Sequence, residues 1–247
     1  MKPINSTWLA ATLVAAPLLL ASSEVVRKYV ALGQVNSGDP MVDARDKILQ
    51  VAAHSDLWLV HSYLTLLGIL AWLGAMIIIT AAIRARRPVL GAVGGVLGLG
   101  SAIGYAAHLG FYTIPLGVSA GMAEQDLDAA ATVWVAGERD PFIDAMVLFF
   151  IATMVFGQLV LGLGLWRARA VPWWAAACLP LSAALNLEPG SSPLWGLVML
   201  LPLIPFLLIA VNGTPAGAST RPPARSLGNY PAIPAALLEG SDRAGSQ

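Results

Sequence analysis

The chain has 247 residues, of which 57% are hydrophobic and only 11% charged, with fourteen basic against fourteen acidic side chains. A soluble domain has about 25% charged residues, so lipid must stand in for much of the solvent, and mean hydropathy is correspondingly positive at +0.72. Zero net charge implies no nucleic-acid electrostatics, and the single cysteine, Cys178, excludes an intrachain disulfide or a cysteine-based metal site.

The expected fold class is all-α, a polytopic transmembrane helix bundle of about six spans over residues 1–211. A span needs about 20 mostly apolar residues. The first covers 8–22. Lys2 and the apolar run ending at Ala21-Ser22-Ser23 also allow a secretory signal peptide, but no A-x-A cleavage pattern follows, so an uncleaved anchor is the better reading. An outer loop, 24–56, comes next. Within it Gly38-Asp39-Pro40 opens a stretch in which Met41, Val42, Ile48, Leu49 and Ala52 recur at helical spacing, giving a short surface helix.

Spans two and three, 57–83 and 88–112, contain no Lys or Arg. A second outer loop, 115–140, places Leu127, Ala131 and Trp134 on one face of another short helix. Span four, 141–166, begins at Asp140-Pro141, which reads as N-cap followed by N1. Span five, 172–187, is the weakest, being short and interrupted by Pro180. Span six, 193–211, carries Pro202 and Pro205 and should break near its middle. Residues 212–247 are rich in Pro, Gly, Ser and Ala, and read as a disordered cytoplasmic tail.

Loop charge sets the orientation. The turns Arg84-Ala85-Arg86-Arg87 and Arg167-Ala168-Arg169 are purely basic. With Lys2, Arg221, Arg225 and Arg243 they put nine basic residues on one side against five on the other (Arg27, Lys28, Arg45, Lys47 and Arg139). The positive-inside rule then makes both termini cytoplasmic, in a bacterial inner membrane. Trp166, Trp173 and Trp174 flank one inner turn, and Trp58, Tyr112 and Trp195 fall near outer ends.

Catalytic templates fail: H-E-x-x-H, G-x-S-x-G and the Walker A sequence are all missing. The glycines of span three pair at spacing four (Gly91/Gly95, Gly94/Gly98, Gly100/Gly104), which lets helix backbones approach closely in lipid. The same span carries a polar stripe, Ser101, Tyr105, His108 and Tyr112. Span two offers His61, Thr65 and Gly68. The two histidines fall at similar depth in neighbouring antiparallel spans, and ionisable groups inside a membrane are functional candidates. Asp144, in the first turn of span four, either suits the positive helix end or turns towards the histidines and charges one of them. Gln158 reads as an interhelical hydrogen-bonding residue, and Met146, Met154 and Met199 are too scattered for a copper path. The candidate intramembrane polar site is therefore His61, Thr65, Ser101, Tyr105, His108, Tyr112 and Asp144, with no catalytic residue, metal ligand or cofactor assigned.

Three stretches carry a resemblance. They are Ala53-His54-Ser55-Asp56-Leu57-Trp58-Leu59-Val60-His61, the Gly-rich third span ending in His108, and Gly162-Leu163-Gly164-Leu165-Trp166-Arg167-Ala168-Arg169-Ala170-Val171-Pro172-Trp173. Across 39–211 the chain resembles a group of actinobacterial multipass proteins, similar in plan to the DUF4386-like six-helix proteins. The resemblance implies six spans with histidines near the outer ends of the second and third; the group has no assigned activity, so no catalytic role is carried over. Asn186-Leu187-Glu188-Pro189, after span five, is more polar than that pattern.

The leading expectation for function is a non-enzymatic accessory or sensing component whose partners are the lipid bilayer and other membrane proteins, with no nucleic acid. The alternatives are a haem- or metal-binding redox protein using His61 and His108, and a small-solute transporter whose outer cavity is lined by Tyr63, Tyr105, His108 and Tyr112. Neither an internal repeat nor a charge at the membrane centre favours transport.

Overall fold

Leu13, Ala16, Leu20, Ser23 and Val30 are all buried and lie on one helical face. That stripe carries α1 (Ser6–Val30) well beyond residue 22. In the computed structural model, which describes residues 6–31, 37–187 and 193–212, the segment 24–30 expected in the first outer loop is therefore the last two turns of α1.

Each later helix has a local cause. Asp39 caps α2 (Pro40–Ala53), its Oδ1 accepting from the Met41 N–H at 2.8 Å, with Pro40 at the first position. α3 (Ser55–Arg84) follows after His54. α4 (Pro88–His108) runs into a π-turn, Leu109–Thr113, and then into α5 (Ile114–Glu138). Pro115 explains that turn. A proline crowds the carbonyl four residues back, and the widened turn relieves this by passing the Ile114 N–H to the Leu109 carbonyl. α5 kinks at Asp126, whose extended backbone (φ −157°, ψ 92°) and side chain, accepting from the Ala129 N–H at 3.0 Å, restart the helix. Asp140 caps α6 (Pro141–Arg167) as the sequence implied, accepting from the Phe142 N–H at 2.8 Å.

The result is an all-α bundle, with no strand among the described residues. Four helical stretches are long and apolar enough to cross a membrane: Thr7–Val30, Ser55–Arg84, Pro88–Glu138 and Pro141–Arg167. The third is far longer than a bilayer requires. Its α5 portion folds with α2 as a cap at one end, so the stretches expected as outer loops with short surface helices are helices packed on each other. The cap has its own core of Ile48, Val51, Trp58, Leu116, Ala131 and Trp134. Arg45 with Asp128 and Lys47 with Glu138, both at 2.9 Å, tie the two cap helices together. All the arginines of the 84–87 and 167–169 turns lie at the opposite end, which we call the arginine end.

α4 is the spine of the bundle, and its glycines bury two neighbours at once. A Cβ on Gly94 would stand 2.9 Å from Leu161 of α6, one on Gly95 2.7 Å from Thr80 of α3, and one on Gly104 2.8 Å from the Phe150 Cα. The two remaining segments are broken. α7 (Trp173–Ala176) and α8 (Cys178–Asn186) part at Ala177, because Pro180 has no N–H for the Ala176 carbonyl. A 3-10 helix, Pro193–Leu200, precedes α9 (Leu203–Asn212), and the change of helix type falls at Leu201-Pro202 where a break was expected. At about 2.0 Å per 3-10 residue and 1.5 Å per α residue this last segment reaches roughly 31 Å, whereas the α7–α8 segment reaches only about 21 Å. Lys2, Glu188, Pro189, Arg221, Arg225, Arg243 and the side chain of Trp195 lie outside the described residues, as does the tail expected over 212–247 apart from Asn212, which ends α9.

Candidate functional site

The site forms where α1, α3 and α4 meet just beneath the cap. α1 and α3 are antiparallel, so Ser23 near the end of α1 faces His61 near the start of α3. His61 is 2% exposed. Its Nδ1 lies 2.7 Å from the Ser23 hydroxyl and 3.1 Å from the Ser23 carbonyl. Thr65 donates to the His61 carbonyl at 2.9 Å and also touches the Ser23 hydroxyl. The other ring nitrogen, Nε2, is buried without a hydrogen-bond partner among the described residues.

One turn further along α1, within the stretch expected as an outer loop, stands an ion pair. Arg27 donates to Glu24 through Nε and Nη2, with Nη2 at 2.8 Å from Oε2, and their side chains are only 31% and 17% exposed. Glu24 is close enough to act electrostatically on both His61 and His108, and Arg27 on Tyr105 and Tyr112. The 3-10 helix closes the far side of this pair: a Cβ on Gly196 would meet the Val25 nitrogen at 2.7 Å. Glu24, Arg27 and Ser23 are thus site residues that the candidate set lacked. The signal was present, because the buried stripe of α1 continues at helical spacing through Ser23 to Val30.

From α4, Tyr105 is buried with its hydroxyl unpartnered among the described residues and its ring edge-on to Phe150 at 4.6 Å. His108 is half-buried and stacks on Tyr112 at 5.0 Å and 13°, with Phe150 on its flank at 6.3 Å. A cleft of about 220 Å³ opens beside it between α4 and α6, walled by Phe111, Ile143, Met146 and Phe150.

Other members of the candidate set fall outside this cluster. Ser101 accepts from the Trp72 indole at 3.3 Å and donates to the Gly98 carbonyl at 2.8 Å, so it ties α3 to α4 deeper in the bundle. Asp144 is exposed at the start of α6 and does not turn towards the histidines; the first-turn position of a capped helix suffices to explain it. Tyr63, expected on a cavity wall, is 60% exposed and points away from the bundle. Gln158 is buried as expected of an interhelical residue, yet its Oε1 has no partner among the described residues.

Two aromatic paths leave the cluster for the cap. Trp58 packs on His61 at 4.9 Å, donates its indole N–H to the Thr113 carbonyl in the π-turn at 2.9 Å, and belongs to the cap core. Tyr112 stacks on His108 and meets Trp134 of the cap edge-on at 5.1 Å. Among the described residues no three His, Cys, Asp or Glu side chains gather as a metal site. Comparison with family models, with curated proteins and with solved structures finds no match to the chain.

Proposed function

We propose that the chain is a six-span protein of a bacterial inner membrane, of sensing or accessory kind. In this reading the arginine end is cytoplasmic, and the polar cluster under the outer cap responds to a ligand or a charge without catalysing a reaction. The observation that carries the reading is the double aromatic path from the two histidines into the cap. A buried ion pair contributes little to stability compared with apolar residues of the same volume, and is best attested where it serves specificity or switching. Here the pair acts electrostatically on His61, on which packs the Trp58 that bonds the π-turn, a distortion frequent at functional positions. The basic turns at one end and the resemblance over 39–211 support the orientation and the six-span plan.

Hydrogen exchange in lipid nanodiscs tests it. Neutralising the pair (Glu24→Gln with Arg27→Gln), or separately removing the indole donor (Trp58→Phe), should speed exchange in 40–53 and 127–138 by roughly tenfold through local opening of the cap. Exchange altered only within α1 or α3, with the cap unchanged in both variants, rejects the reading. The haem-binding alternative rests on the histidine pair alone, and a Soret band in the absorbance of the purified protein would revive it.

A further inference from the structure

The arginine end carries a second site, built from different residues. α6 and α7 diverge there and leave an apolar groove of about 310 Å³ lined by Leu159, Gly162, Leu163, Trp173, Ala177 and Pro180, with Trp166 at its edge. Arg167 lies over the Trp166 ring at 5.1 Å, and Arg169 follows in the same turn. Trp166, Trp173 and Trp174 are all exposed around it, as interfacial tryptophans are.

Charge at this end is one-sided. Five arginines (Arg84, Arg86, Arg87, Arg167 and Arg169) face solvent in two turns, while every described Asp and Glu lies in the cap half of the fold. Arg86 and Arg87 are committed to the end of α6, donating to the carbonyls of Ala168 at 2.8 Å and Arg167 at 3.3 Å. Arg167 and Arg169 form no ion pair among the described residues.

The backbone of Arg169 is the second, independent observation. It is left-handed at φ 53°, the one non-glycine residue so placed among those described. It closes α6, with the Ala170 N–H reaching back to the Leu165 carbonyl at 3.0 Å. Helices usually end this way on glycine, since a Cβ there is disfavoured. An arginine at this position, three residues after Trp166 of the groove edge, is kept at a cost in backbone strain, and such strain points to use of the side chain.

We propose that this groove binds one anionic phospholipid of the inner leaflet, with an acyl chain against Leu163, Ala177 and Pro180 and its phosphate on Arg167 and Arg169. An apolar slot rimmed by tryptophan and arginine matches each part of such a lipid in turn: tail, interface and phosphate.

The test is native mass spectrometry of the full chain released from micelles doped with either phosphatidylglycerol or phosphatidylcholine. Wild-type protein should retain one phosphatidylglycerol and discriminate against phosphatidylcholine. Arg169→Gly should weaken phosphatidylglycerol retention about fivefold, the effect of one surface arginine on an anionic lipid, with a melting temperature equal to or above wild type because the left-handed turn is relieved. That combination separates loss of binding from loss of folding. Ala177→Trp, at an exposed wall position, should block the groove. Arg84→Gln removes the same charge from α3 and should leave retention unchanged. Equal retention of the two lipids, unchanged retention in Arg169→Gly or in Ala177→Trp, or an equal loss in Arg84→Gln would overturn the site and leave only diffuse attraction.

Discussion

Breaking the Glu24–Arg27 pair should be costly, and removing both charges should not be twice as costly. Losing one partner of a fully buried pair costs about 3–5 kcal/mol, because a desolvated charge is stranded. Here the side chains keep 31% and 17% of their exposure, so partial hydration reduces that to about 2 kcal/mol for Arg27→Met or for Glu24→Gln alone. The double variant strands nothing and should cost only about 1 kcal/mol, which makes the coupling energy about 3 kcal/mol. The assay is equilibrium unfolding in mixed micelles of rising dodecyl sulfate fraction, followed by tryptophan fluorescence. A coupling energy below about 0.5 kcal/mol, the range of independent sites, would show that the two side chains do not share a buried environment and that α1 ends near residue 22 after all.

Three further outcomes follow from the packing and the charges. Gly104→Leu and Gly94→Leu should both lower thermal stability in detergent, Gly104→Leu more, because its Cβ would meet the Phe150 backbone whereas that on Gly94 meets the flexible end of Leu161; equal melting of both variants and wild type would place those faces in lipid. At the start of α2, the Ser37 hydroxyl and backbone N–H, both at 2.7 Å, hold the Asp43 carboxyl below its ordinary range. Its contribution is therefore present above the ordinary value near 4 and is lost as pH falls through the lower folded value, so protection of the 40–44 amides, taken relative to their intrinsic exchange rate at each pH, should fall in acid, and Ser37→Ala should remove much of that pH dependence. Reporter fusions after Arg87 and after Gly121 should report opposite sides of the membrane, and two cytoplasmic signals would reject the six-span plan.

The parts of the fold legible in the sequence were those with one dominant local cause. Asp39-Pro40 and Asp140-Pro141 mark helix starts by capping chemistry alone, and the α4 glycines mark the tightest interface because lipid offers no competing reason for so many small residues. The cap was legible only in pieces. Ala131 and Trp134 do line a buried face, but the partner that buries them, α2, lies some eighty residues earlier, and short amphipathic stretches do not name their partners. The candidate site was half legible. His61, Thr65, Tyr105, His108 and Tyr112 stand out because polar groups are costly in an apolar span. Ser23, Glu24 and Arg27 did not, since a charged run after an apolar one also marks a helix emerging into water. Only the continued burial stripe separates the two cases. Asp144 was drawn in by proximity in sequence to the span end, whereas capping accounts for it.

The polar site is assembled only if the end of α1 lies against α3. With Cys178 replaced by alanine, a Ser23→Cys/Thr65→Cys variant places its two thiols where the wild-type hydroxyls touch, within reach of a disulfide of about 2.05 Å. Mild oxidation in native membranes should close that bond, while a Leu18→Cys/Tyr63→Cys control, both positions exposed on the bundle surface, should stay reduced. Failure of the first pair to cross-link, or equal cross-linking of the second, would mean that α1 does not deliver Ser23, Glu24 and Arg27 to the histidines and that the polar site is not assembled.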